Sequence, residues 1–143
     1  MTASSDTVIP AAPSAADIDV VRAVFGAFAS GDLAALTDLL RPDATWHHHN
    51  DDRLGGVHCG SDAIIAYLTE SALLTAGTLQ AAPESVMADG EGHVAIQVRL
   101  TASRPDGRSM DCPQVLLATV EGSRVRAIDQ FVGDPAAVAA FWA

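Results

Sequence analysis

The sequence predicts one α+β domain, with helices in its first half and an antiparallel sheet in its second. Two observations carry this reading. Apolar residues of the first half recur at three- and four-residue spacing, whereas those of the second half fall into four runs divided by hairpin turn signals. A doubly wound parallel sheet would need helices between those runs. With 143 residues and 49% hydrophobic side chains, the chain supplies one sizeable core and no second domain.

Residues 1–16 are mostly Ala, Ser, Thr and Pro, too poor in large apolar groups to repay their ordering, and they are expected to form a flexible tail ahead of a domain at 17–143. Asp17 is placed to cap a helix whose Ile18, Val21, Val24, Phe25 and Phe28 share one face, ending at Ser30-Gly31. Asp32 caps a shorter helix through Leu33, Leu36, Leu39 and Leu40, stopped by Pro42. A strand over 44–49, ATWHHH, leads into the loop NDDRLGGVHCG, whose glycines and polar residues argue against regular structure. Ser61 or Asp62 then caps a third helix carrying Ile64, Ile65, Tyr67, Leu68 and Leu73. Strands follow at 78–88, 93–103, 109–120 and 124–132, joined by ADGEG, RPDGR and EGS. Asp134-Pro135 supplies a cap and a first-turn proline for a last helix, AAVAAFW.

Charge and composition exclude several functions. Eight basic against eighteen acidic residues give a net charge of −10, so a nucleic acid would approach against the field of the protein. All the basic residues are Arg, which removes lysine Schiff-base chemistry. The N-terminus lacks a secretory signal pattern, and no apolar run is long enough to cross a bilayer, so no membrane partner is expected. Cys59 and Cys112 are too few for a disulfide framework and do not form a CxxC pair. A cytoplasmic, reduced protein is the simplest reading. Phosphate loops, nucleophile elbows and dinucleotide fingerprints are missing, and no cofactor is expected.

Four ordered signals carry a family resemblance: ASGDLAAL, LLRPDATW, GGVHCGSDAI and EGSRVRAIDQFVGDPAAVAAFW. Over residues 17–142 the chain resembles the nuclear transport factor 2-like superfamily, specifically its SnoaL-like polyketide cyclase and ketosteroid isomerase branch. The resemblance implies a conical, curved, antiparallel or mixed sheet wrapped around helices, a cystatin-like α+β barrel enclosing an apolar cavity. It also implies a homodimer paired through the convex sheet face, where Arg99 and Thr101 fall opposite Ile96, Val98 and Leu100. Function varies widely on this fold.

Strand alternation puts Trp46 and His48 on one face of ATWHHH, and Thr45, His47 and His49 on the other. Trp46 belongs inside, so His48 shares the cavity side. By the resemblance, His48 falls where ketosteroid isomerases carry their general base, and an imidazole there moves protons near neutral pH. The oxyanion-stabilising Tyr of those isomerases is replaced by Val24, and the helix Asp that pairs with a pocket His in dehydratases is replaced by Ala29. Epoxide hydrolase relatives carry a water-activating Asp on the last strand, where this chain has Gln130 and, one step away on the opposite face, Asp129. Gln130 is read as the cavity group, and a slip of one residue would exchange it with Asp129. Asp111 and Gln114 are three apart and cannot both face inward on a regular strand, although Pro113 between them allows a bulge.

Trp46, Phe28, Val24, Tyr67 and Leu116 are the expected apolar contacts of a ligand, with His58 reaching in from the loop at the cavity mouth. Phe25, Val98 and Trp142 belong to the same wall or to plain core, and His93 to the surface. The run His47-His48-His49, with His58 nearby, suggests a metal; adjacent strand residues cannot aim at one ion, whereas His47 and His49 share a face that allows superficial binding, but no Cys or carboxylate stands at ligand-like spacing beside them, so no metal is expected. Taken with the resemblance, these residues imply a cofactor-independent enzyme of secondary metabolism acting on a small organic molecule, a polyketide-type cyclase or isomerase with His48 as acid or base. The alternatives are a non-catalytic binding protein of the same fold and an epoxide hydrolase-like enzyme that activates water.

Overall fold

The computed structural model describes residues 11–143. Helix α1 runs Ala11–Ser30, so it begins before Asp17, which lies inside it instead of capping it. Residues 11–16 are therefore helical, and the rest of the expected tail lies outside the described residues. Helix α2 (Leu33–Leu39) is capped as anticipated, Asp32 Oδ1 accepting from Ala35 N at 3.0 Å. Leu40 already turns extended, and strand β1 runs Leu40–His49, four residues longer at its start than the sequence suggested.

The loop after β1 is less irregular than its composition implied. Gly56–Cys59 forms strand β2, antiparallel to β1 with Trp46 opposite His58. Helix α3 (Ser61–Leu74) is entered through Gly60, not through a Ser61 or Asp62 cap. Gly60 has φ of 91°, a conformation that strains any residue with a Cβ, and its N–H donates to Ala44 O at 2.7 Å. That bond ties the start of α3 to β1.

Strands β3 (Gln80–Ala88), β4 (His93–Ser103), β5 (Ser109–Glu121) and β6 (Arg124–Val132) follow the four apolar runs closely. Six strands form one sheet in the order β2-β1-β6-β5-β4-β3, antiparallel except where β1 lies parallel to β6. Register shifts between Pro83 and Ser85 and between Thr119 and Val120 interrupt the ladders and bend the sheet. Burial alternates along β5 without a break from Ser109 to Val120, so Pro113 makes no bulge there. The inward residues, among them Val94, Ile96, Val98 and Leu116, meet Val21, Val24, Ile64 and Leu68 of the helices in one core.

Helix α4 (Pro135–Trp142) closes the end of the sheet, with Asp134 accepting from Ala137 N as its cap. Its last carbonyls are held from the β4–β5 turn: Arg104 Nη1 donates to Phe141 O and Arg108 Nη1 to Ala143 O, each at 2.8 Å. At its start, Gly133 N donates to Pro113 O, and a Cβ on Gly133 would sit 2.6 Å from that same oxygen. These contacts fix Trp142 against the hollow that the bent sheet leaves. Among the described residues no helix is long and apolar enough to cross a membrane.

Candidate functional site

Between the concave sheet face and helices α1 and α3 lies a hollow of about 70 Å³. Most of its wall is aliphatic or aromatic, and its polar groups gather where β1, β5, β6 and α3 converge.

Those polar groups form one chain of hydrogen bonds with a fixed direction. The indole Nε1–H of Trp46 can only donate, and it lies 2.9 Å from Gln130 Oε1, which fixes the oxygen end of that amide. Tyr67 donates its hydroxyl to the same oxygen at 2.7 Å, while Gln130 Nε2 donates to Gln114 Oε1 at 2.6 Å. With its one proton committed, the Tyr67 oxygen accepts from His48 Nδ1 at 2.9 Å. Nδ1 therefore carries a hydrogen.

The other ring nitrogen, His48 Nε2, lies 2.9 Å from Asp52 Oδ2. A proton must lie between these atoms, since two lone pairs would otherwise face each other. Asp52 is locked by two further donors, Asn50 Nδ2 and Leu54 N, each at 2.8 Å. The side chains of His48 and Asp52 are 2% and 0% exposed, so the bridge is shut off from bulk water. Burial, reinforced by the negative charge of Asp52, pushes the Tyr67 pKa far above its ordinary range despite the opposing bonds to Gln130 and Trp46, and the phenol stays protonated. The assembly is a buried hydrogen-bonded chain: Asp52, His48 and Tyr67 in line, ending at the wall of an apolar hollow.

Residues 21–128 match the SnoaL-like domain family. The chain belongs to it. An uncharacterized protein of Mycobacterium tuberculosis, Rv0034, is 40% identical over 128 residues, covering 90% of this chain and 97% of that protein. Bal32a, from a soil-derived mobile gene cassette, has a solved structure that superposes with a TM-score of 0.88 at 30% identity, over 92% of this chain and 99% of that one. A putative polyketide cyclase of Sinorhizobium meliloti shares the fold at a TM-score of 0.65 and 20% identity, over 78% of this chain and 93% of that one. The mixed six-stranded sheet is the nuclear transport factor 2-like arrangement that the resemblance implied.

Within this SnoaL-like chain, Trp46, His48, Gln114 and Gln130 all face the hollow, with Val24, Phe28, Tyr67 and Leu116 in its wall. Three expected site residues are elsewhere. Asp129 points to the convex face, 45% exposed, because β6 alternates and Gln130 takes the inward position. Asp111 is likewise outward, paired with Arg99 at 2.8 Å, since unbroken alternation along β5 lets only Gln114 turn in. His58 belongs to β2, not to a loop over the cavity mouth. Its Nε2 bonds Leu54 O and its ring stacks on Tyr67 at 4.2 Å from outside the hollow.

Sequence reasoning missed Asp52. A carboxylate partner for His48 was sought late in the first helix, at Ala29, yet the partner sits only four residues beyond His48. The turn Asn50-Asp51-Asp52 folds back, Asn50 N bonding His48 O at 2.9 Å and Gly55 N bonding Asp52 O at 2.9 Å. A Cβ at Gly55 would meet Asn50 O at 2.0 Å, so the Gly55-Gly56 pair that marked a loop in fact marks this tight return. His93 is on the surface, bonded to Asp89.

Proposed function

We propose that this chain is a cofactor-independent acid–base enzyme of the polyketide cyclase or isomerase type. One observation carries the reading: His48 is buried between Asp52 and Tyr67, with Tyr67 at the wall of the apolar hollow. In this scheme a solvent water admitted to the hollow takes the substrate's α-hydrogen as a proton while the Tyr67 hydroxyl gives its proton to the carbonyl oxygen, so a C–H bond breaks, an O–H bond forms and an enol results. His48 Nδ1–H reprotonates Tyr67 and the proton shared with Asp52 settles on Nε2; ketonisation reverses each transfer, carbon taking its hydrogen from solvent. Gln130 and Gln114 orient the carbonyl or hydroxyl, and Trp46 packs against the ligand.

The mostly apolar lining, with a few polar groups at one end, favours a small organic molecule that carries a carbonyl or hydroxyl on an otherwise apolar frame. Asp129 faces outward, so the water-activating reading has no carboxylate on the last strand to use.

The test is hydrogen–deuterium exchange at carbon, read by NMR on a panel of small ketones and 1,3-dicarbonyls in heavy water. Wild type should accelerate exchange of at least one of them, and His48→Ala should cut that rate by about 10²–10⁴-fold. An unchanged rate in His48→Ala would remove the mechanism. A binding protein is the second reading, favoured by the fact that every polar atom of the relay already has a protein partner. A copurifying ligand recovered with unaltered mass after prolonged incubation would support it. The outer face carries the exposed Val115, Leu117 and Phe131, which suits the homodimer that the family likeness implies; sedimentation as a monomer at micromolar concentration would refute it.

A further inference from the structure

The convex face holds a second cluster that the relay does not use. β1 and β6 lie side by side in parallel, with His47 opposite Asp129 and His49 opposite Phe131. Alternation sends His47 and His49 to the same face, and the register brings in a carboxylate that spacing in the sequence did not reveal. His49 Nε2 lies 2.7 Å from Asp129 Oδ1 and His47 Nδ1 lies 3.8 Å from the same oxygen. One ligand atom from each of the three residues falls within 4.8 Å of the other two.

We infer that His47, His49 and Asp129 form a site for a divalent zinc-class ion on the outside of the sheet. Bonds of about 2.1 Å to imidazole nitrogen and carboxylate oxygen put neighbouring ligand atoms roughly 3.0–3.4 Å apart, so closure needs side-chain shifts on the order of 1 Å. The backbone does not have to move. Two imidazoles and one carboxylate suit Zn²⁺, Ni²⁺ or Cu²⁺ over Mg²⁺ or Ca²⁺, which prefer oxygen donors.

The site is also held in place. The rings of His47 and His49 lie 3.4 Å apart, and His49 stacks on Phe131 at 4.5 Å with planes 10° apart. In the single chain, side-chain exposures of 39%, 31% and 45% for His47, His49 and Asp129 leave the remaining coordination positions open. A chain of net charge −10 draws cations toward such a surface. The cluster is on the sheet face opposite the hollow, so it is independent of the proposed acid–base chemistry.

The full chain, stripped with a chelator, is titrated near neutral pH with Zn²⁺ by calorimetry and with Co²⁺ by visible absorption. The expected result is one ion per chain with micromolar affinity, weakened about tenfold or more in both His49→Ala and Asp129→Asn. Circular dichroism checks that the variants remain folded. His93→Ala, which dismantles the exposed pair of His93 with Asp89, should bind as wild type does. Absence of saturable binding would overturn the site, as would equal loss in His93→Ala or a thiolate charge-transfer band implicating Cys59. One ion per two chains would also overturn it, since the ion would then be shared between copies.

Discussion

His48 and its neighbours His47 and His49 leave the same strand in opposite directions, and the two sides of the sheet give one residue type two chemistries. Inside, His48 is 2% exposed and both ring nitrogens are bound, to Tyr67 and to Asp52. Outside, His47 and His49 are 39% and 31% exposed and share the single carboxylate of Asp129. Each side thus has a His–Asp contact of similar length, 2.9 Å for His48–Asp52 and 2.7 Å for His49–Asp129. What separates them is water. In a dry site a broken pair leaves an uncompensated polar group, whereas on a wet face solvent replaces the lost partner.

The sharpest way to break this comparison is to delete each Asp in turn. Asp52→Ala strips the acceptor from His48, Asn50 and Leu54 N together and should cost about 3–5 kcal/mol in urea unfolding, with loss of any exchange activity. A cost below about 1 kcal/mol would mean that the inner pair is no drier than the outer. Trp46→Phe removes one indole donor and some volume from the same network, and about 2 kcal/mol is expected.

Alkaline titration sharpens the contrast by another route. Tyr67 is the only tyrosine in the chain, so phenolate absorbance reports it alone. Its pKa is raised in the folded state by burial and by Asp52, so the stability it contributes is fully present below the ordinary tyrosine value near 10 and is lost as pH rises above it. Stability should fall there by up to about 1.4 kcal/mol per pH unit from this one proton. Phenolate should form only together with unfolding; a separate ionisation of the folded chain would show that water reaches the relay. The smallest effect is expected outside, where Asp129→Asn should change stability by less than about 1 kcal/mol without added metal.

Strands β4 and β5 were legible because their inward residues alternate and each ends in a strong turn signal. Trp46 and His48 were assigned to the hollow for the same reason, since a period of two carries its own direction. Gln130 was read as the inward residue of the last strand from the family resemblance, and alternation then put Asp129 on the opposite face, as β6 has them. Asp52 and β2 were not legible. Both depend on a return at Gly55-Gly56 that composition marks only as irregular, and its product, a carboxylate folded onto the strand before it, has no periodicity to show. That His47 and His49 share a face was legible, but Asp129 beside them was hidden for a different reason: it lies 80 residues from His49, and only the parallel pairing of β1 with β6 brings it there. The start of α1 was misplaced because Ala-rich sequence reads equally as tail and as helix.

An indole nitrogen cannot accept a hydrogen bond, and in this protein that one-sidedness sets the sense of every polar contact downstream of Trp46. Engineering the cavity for a ligand that must receive its hydrogen from the glutamine, not from the phenol, therefore has to start at the tryptophan. Redesign that leaves Trp46 in place inherits its polarity.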